Sequence, residues 1–86
     1  MSSESFNWHE ALGNSIPHEN RALAAKKARE MGLSMHGEEE MEFITPIAKA
    51  IENDRPNEAI AKTREKFDLT GTYRFLAYLC VGPSEE

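Results

Sequence analysis

Cysteine is scarce in this sequence, since Cys80 is the one cysteine among its 86 residues. A single thiol cannot form an intramolecular disulfide, which agrees with a reducing compartment. The chain also contains no run of eighteen apolar residues, which a membrane-spanning helix requires. Its first residues show neither the basic start nor the apolar run of a signal peptide, so we expect a cytoplasmic protein.

Positive charge is in the minority, with ten Lys and Arg against fifteen Asp and Glu and a formal net charge of −5. An acidic chain is repelled by phosphate backbones, which argues against general binding to nucleic acid or to anionic membranes. The five glycines are scattered along the chain and form no glycine-rich phosphate-binding loop.

The length of the chain limits it to one domain, residues 1–86, in which we expect residues 1–4 and 83–86 to be frayed. A chain this short buries only about 60–65% of the surface that it exposes when unfolded. Either the fold is compact and marginally stable, or a second subunit or partner completes its apolar surface.

Apolar residues recur mostly at helical spacing, which predicts an all-α domain of four to five short helices. Pro46 interrupts the third of these helices and removes a backbone donor, so the helix should either kink or restart with Thr45 as its cap. The expected helices lie at roughly 5–12, between Ser15 as cap and Gly32, at about 38–53, after Pro56, and before Gly82.

The last segment, EKFDLTGTYRFLAYLCVG, is the most apolar part of the chain. Its apolar residues partly alternate as in a strand, but the chain offers no second strand of similar quality to pair with it. We therefore predict a helix with Asp68 or Thr70 as cap. A helix that is apolar on all sides must be covered on all sides, so it should lie centrally in the fold or at an interface. Both readings stay open, because the other helices are thinly apolar.

Catalytic and metal-binding patterns are weak. Cys80 lies in an apolar setting that raises the pKa of a thiol and makes it inert. The histidines His9, His18 and His36 each have an acidic neighbour, but His9 and His18 adjoin their glutamates directly, which directs the two side chains of each pair about 100° apart on a helix. They are weak metal candidates, and we expect no metal, no cofactor and no enzymatic activity.

Residues 59–79 resemble a helix-turn-helix, with Ala61 at the tight contact between the two helices. Asp68 stands where the turn usually has glycine, and the spacing to the following apolar anchors is about two residues short. The resemblance implies a DNA-binding transcriptional regulator, which is the alternative function. Its candidate nucleic-acid contacts are Lys62, Arg64, Lys66, Thr72 and Arg74.

The leading hypothesis is a small non-enzymatic regulator, adaptor or accessory subunit that binds another protein, with a homodimer as a further option. Tyrosine and arginine are favoured at protein interfaces, and we expect Tyr73 and Arg74 to be accessible at the start of the C-terminal helix. The candidate contacts on this helix are Tyr73, Arg74, Phe75 and Tyr78. A lesser electrostatic contact with a basic partner is expected from Glu38, Glu39 and Glu40.

Overall fold

Five helices and their connections form the structure, a computed structural model that describes residues 8–35 and 37–82, with side chains from residue 10 onwards. Within these ranges there is no strand, and the all-α prediction is confirmed. None of the described helices is long and apolar enough to cross a membrane. The helices are α1 Trp8–Ala11, α2 His18–Glu30, α3 Glu38–Glu52, α4 Pro56–Arg64 and α5 Leu69–Val81.

Helix α2 begins later than the sequence indicated. Pro17 is its N-cap residue and no side chain caps it, so the prediction that Ser15 caps this helix is wrong. The carbonyl of Pro17 instead accepts hydrogen bonds from the backbone N–H groups of Asn20 and Arg21. The predicted stop at Gly32 is confirmed, because its φ of 105° lies in the left-handed region that glycine tolerates.

Helix α3 runs continuously through Pro46, so of the two predicted outcomes, a kink or a restart with Thr45 as cap, the restart is wrong. Pro46 and Glu42, whose carbonyl loses its helical donor, are both exposed. The opposite side of the helix buries Ile44 and Ile47 completely. We attribute the continuity of α3 to this buried face, since burial of large apolar side chains outweighs one missing hydrogen bond at the surface.

Helix α5 confirms the helical interpretation of the C-terminal segment. Asp68 is the N-cap, and its side chain accepts a hydrogen bond of 2.8 Å from the backbone N–H of Gly71, so the alternative cap Thr70 is wrong. Gly82, with φ of 84°, ends the helix as predicted. The helix packs against α2 and α4, and its buried residues join the main core.

An aromatic cluster at the centre of the fold connects three segments. The Phe75 ring of α5 lies 5.7 Å from the Phe67 ring, and 6.0 Å from the Phe43 ring of α3, between ring centroids. Such pairs contribute beyond their buried area. The sequence left two positions open for the C-terminal helix, central in the fold or at an interface. The structure shows that one side of α5 faces the core, where this cluster fixes it.

Candidate functional site

The solvent side of α5 is unusually apolar for an exposed helix surface. Leu69 is 48% exposed, Tyr73 42% and Val81 63%. We define the outer α5 face by the six residues on the side of the helix away from the core. They are Leu69, Thr70, Tyr73, Arg74, Ala77 and Val81.

Charge distinguishes the outer α5 face from the other helix surfaces. Among the 13 residues of α5, Arg74 is the one charged residue, and it is exposed. The exposed sides of the longer helices α2 and α3 are instead mainly charged. Charged and exposed residues there are Glu19, Lys26, Arg29 and Glu30 on α2, and Glu38, Glu39, Glu42 and Lys49 on α3. Contiguous exposed apolar surface of this kind is typical of interaction sites.

Two of the predicted aromatic contacts are not freely exposed. Phe75 has no exposed surface, so its assignment to a protein-binding surface is wrong; its ring belongs to the aromatic cluster of the core. Tyr78 is half-buried, and the ammonium group of Lys27 on α2 lies 4.9 Å from its ring centroid, in cation–π contact. The structure thus places Tyr73 and Arg74 on the outer α5 face and leaves Phe75 and Tyr78 to hold α5 in place.

The predicted acidic contacts separate in a similar way. Glu38 and Glu39 are exposed, but Glu40 is only 5% exposed, and its Oε2 lies 2.6 Å from Nε of Arg29. The carboxylate of Glu40 is therefore not accessible to a partner protein, whereas those of Glu38 and Glu39 are. A buried carboxylate needs such a cation beside it, because an unpaired buried charge is strongly destabilising.

A groove of about 540 Å³ lies beside this ion pair, between the middle of α2 and the first turns of α3. Sequence reasoning missed this groove, because it is formed by residues from two helices that are distant in the sequence. We call it the α2–α3 groove. It is lined by Ala22, Ala25, Arg29, Gly37, Glu38, Glu40, Met41 and Glu42.

Two residues do not have the roles that the helix-turn-helix resemblance implies. Ala61 is exposed and cannot make the tight contact between helices, which is made on the buried side of α4 by residues such as Ala59. Thr72 has no exposed surface, so its assignment as a nucleic-acid contact is wrong. Of the remaining candidates, Arg64, Lys66 and Arg74 are exposed and Lys62 is half-buried.

The candidate metal ligands and the thiol show no assembled site among the described residues. His18 is exposed at the start of α2, whereas His36 and the side chain of His9 lie outside the described residues. No group of three potential ligands occurs in the parts of the chain that the structure describes. Burial raises the pKa of the half-buried Cys80 thiol to about 12, which agrees with the expectation of an inert side chain.

Comparison of the chain with protein families, with curated proteins and with solved structures gives no match.

Proposed function

We propose that this protein is a non-enzymatic regulator, adaptor or accessory subunit that binds another protein through the outer α5 face. The observation that carries this proposal is the exposure of Leu69, Tyr73 and Val81 on a helix with a single charge. A cytoplasmic setting belongs to the same proposal and is supported by the lone cysteine.

The residues of the outer α5 face suit the centre of a protein interface. Tyr73 offers a large rigid ring with a polar tip, and Arg74 beside it offers five hydrogen-bond donors. These two residue types are frequent among those that dominate binding energy. Burying apolar surface contributes about 25 cal/mol per Å², so partner contact with the three exposed apolar side chains is favourable.

The charge on this face indicates a partner that is not a second copy. Arg74 is the one charged residue of α5, and a symmetric dimer through the same face would place the two Arg74 side chains on a shared surface without an acidic residue of α5 between them. A partner with an apolar surface and a carboxylate opposite Arg74 would satisfy both requirements. A homodimer is therefore the less favoured arrangement of the two.

The test is affinity capture from the native cell with quantitative mass spectrometry, using the unmodified chain and variants side by side. We expect Tyr73→Ser and Arg74→Glu each to lose the captured partner. Lys26→Glu, which reverses an exposed cation on α2, is the matched control and should retain it. Equal recovery with all three variants would exclude the outer α5 face as the binding surface.

Two further measurements address the competing arrangements. Sedimentation of the purified protein at increasing concentration should show a monomer, since the homodimer is disfavoured by Arg74. Titration against random duplex DNA at low salt should show no binding, whereas binding that weakens steeply with added salt would favour the DNA-binding alternative through Arg64, Lys66 and Arg74.

A further inference from the structure

We propose that the α2–α3 groove binds an amphipathic basic segment of a partner protein, with an apolar side chain in the groove and Lys or Arg beside its acidic edge. The groove shares no residue with the outer α5 face, and its role does not depend on that face.

The shape of the groove follows from the residues on its two sides. Ala22 and Ala25, three residues apart on α2, present only methyl groups, so α2 leaves space where a larger side chain would fill it. Met41, which is 36% exposed on α3, lines the other side with a flexible apolar chain. The volume of about 540 Å³ falls within the range of ligand-binding clefts and accommodates several aliphatic side chains.

The charges around the groove are unequal. The ion pair between Arg29 and Glu40, at 2.6 Å, compensates the buried carboxylate. Glu38 and Glu42 also line the groove, are exposed, and form no ion pair with a Lys or Arg of the described residues. Two uncompensated carboxylates thus stand beside an apolar surface.

This combination selects the occupant by charge complementarity. Apolar walls favour an aliphatic or aromatic side chain, and the carboxylates of Glu38 and Glu42 favour flanking cations while repelling an acidic ligand. A second copy of this chain is a poor occupant, because the chain carries a net charge of −5. A basic amphipathic segment meets both requirements, as in other helix-in-groove complexes.

The probe is a synthetic 18-residue peptide of leucine and lysine at amphipathic helical spacing, titrated into ¹⁵N-labelled protein. We expect amide shift changes at Ala22, Ala25 and Met41, and no change at these residues with the same peptide carrying glutamate in place of lysine. Shift changes confined to other surfaces, including the outer α5 face, or no binding at all, would overturn the proposal.

Charge variants separate specific binding from general attraction to an acidic protein. Glu38→Gln with Glu42→Gln should weaken peptide binding about fivefold at low salt. Glu19→Gln with Glu65→Gln is the matched control, since it removes the same charge from exposed positions outside the groove, and Glu19 like Glu38 lies in a first helical turn. The control should change affinity less than about twofold; equal weakening in both pairs would count against the groove.

A steric variant tests the groove without altering charge. Ala22→Leu places a larger side chain into the groove at a position that is exposed in the free protein. We expect affinity for the leucine–lysine peptide to fall about tenfold, because the peptide's apolar side chain loses its place. Thermal unfolding confirms that the variant is folded, and unchanged affinity in a folded Ala22→Leu protein would refute the proposed site.

Discussion

Arg21 and Glu52 form a partly buried ion pair that fastens the start of α2 to the end of α3. Nη2 of Arg21 donates to Oε2 of Glu52 at 3.0 Å, and the same oxygen accepts a hydrogen bond of 2.7 Å from the backbone N–H of Ile16. The two side chains are only 17% and 22% exposed. One carboxylate therefore positions both α2 and the loop before it.

Replacing Glu52 should destabilise the fold. Glu52→Ala leaves the Arg21 guanidinium and the Ile16 N–H without their acceptor in a partly buried position, and we expect a loss of about 2 kcal/mol in the free energy of unfolding. Glu58→Ala is the matched control, because Glu58 pairs with Arg55 at 3.5 Å on the surface. The control should lose about 0.5 kcal/mol. Urea unfolding measures both, and equal losses would contradict a structural role for the Arg21–Glu52 pair.

The sequence predicted the helices well because their signals are local. Apolar spacing located α3. For α5, capping residues placed the start at Asp68 or Thr70, of which Asp68 is the cap, and the end at Gly82. The orientation of α5 could not be predicted, because a helix apolar on all sides carries no periodic signal for its inner face. For that reason the sequence predicts surface positions for both Tyr73 and Phe75, whereas the structure exposes Tyr73 and buries Phe75 in the core.

The acidic run at the start of α3 shows a second limit of sequence reasoning. Glu38, Glu39 and Glu40 are the same residue type and differ only in the direction of their side chains, since each residue of a helix is rotated about 100° from the one before it. That rotation brings Glu40 to Arg29 and leaves Glu38 at the edge of the groove. Neither the ion pair nor the groove is visible without the packing of α2 on α3, because both depend on residues from two helices.

Cys80 should react very slowly with alkylating reagents in the folded protein. Burial raises the pKa of its thiol from 9.0 to about 12, so at pH 8 the reactive thiolate is about a thousandfold rarer than for an exposed thiol. Because the folded pKa is the higher one, any stability linked to this thiol is fully present below pH 9 and declines as the pH rises towards 12. The rate at which iodoacetamide labels Cys80, followed by mass spectrometry with and without urea, measures the reactivity of the thiol. Equal labelling rates in the two conditions would be inconsistent with a shielded thiol.

Helices α2 and α3 are each followed by a residue with a positive φ, a backbone conformation that is strained for any residue other than glycine. The two helices differ in the residue at this position. In α2 the position is Gly32, with a hydrogen bond from Leu33 N to Ala28 O; in α3 it is Asp54, with φ of 66°. Asp54→Gly should stabilise the protein by about 1 kcal/mol, since it relieves the left-handed strain and removes a negative charge from a helix C-terminus.

Gly32→Ala is the reciprocal variant. A Cβ at Gly32 would meet nothing within 4 Å, so its cost is backbone strain alone, and we expect a loss of about 1 kcal/mol. Chemical denaturation of both variants measures the pair of effects. Asp54→Asn removes the charge while keeping the backbone strain nearly unchanged, so it measures the contribution of the charge alone. A destabilised Asp54→Gly protein would show that the Asp54 side chain makes a favourable contribution that outweighs the strain.

Two fully buried threonines differ in the state of their hydroxyl groups. Oγ1 of Thr63 donates to the carbonyl of Ala59 at 2.8 Å, whereas Oγ1 of Thr72 has no hydrogen-bond partner among the described residues. A buried polar group without a partner costs about 1–3 kcal/mol, so the isosteric Thr72→Val should stabilise the protein by about 1 kcal/mol. Thr63→Val gives up a hydrogen bond and should leave stability unchanged or lower it by up to about 1 kcal/mol. Urea unfolding of both variants decides the matter, because the same change in each would mean that the Thr72 hydroxyl is as well satisfied as that of Thr63.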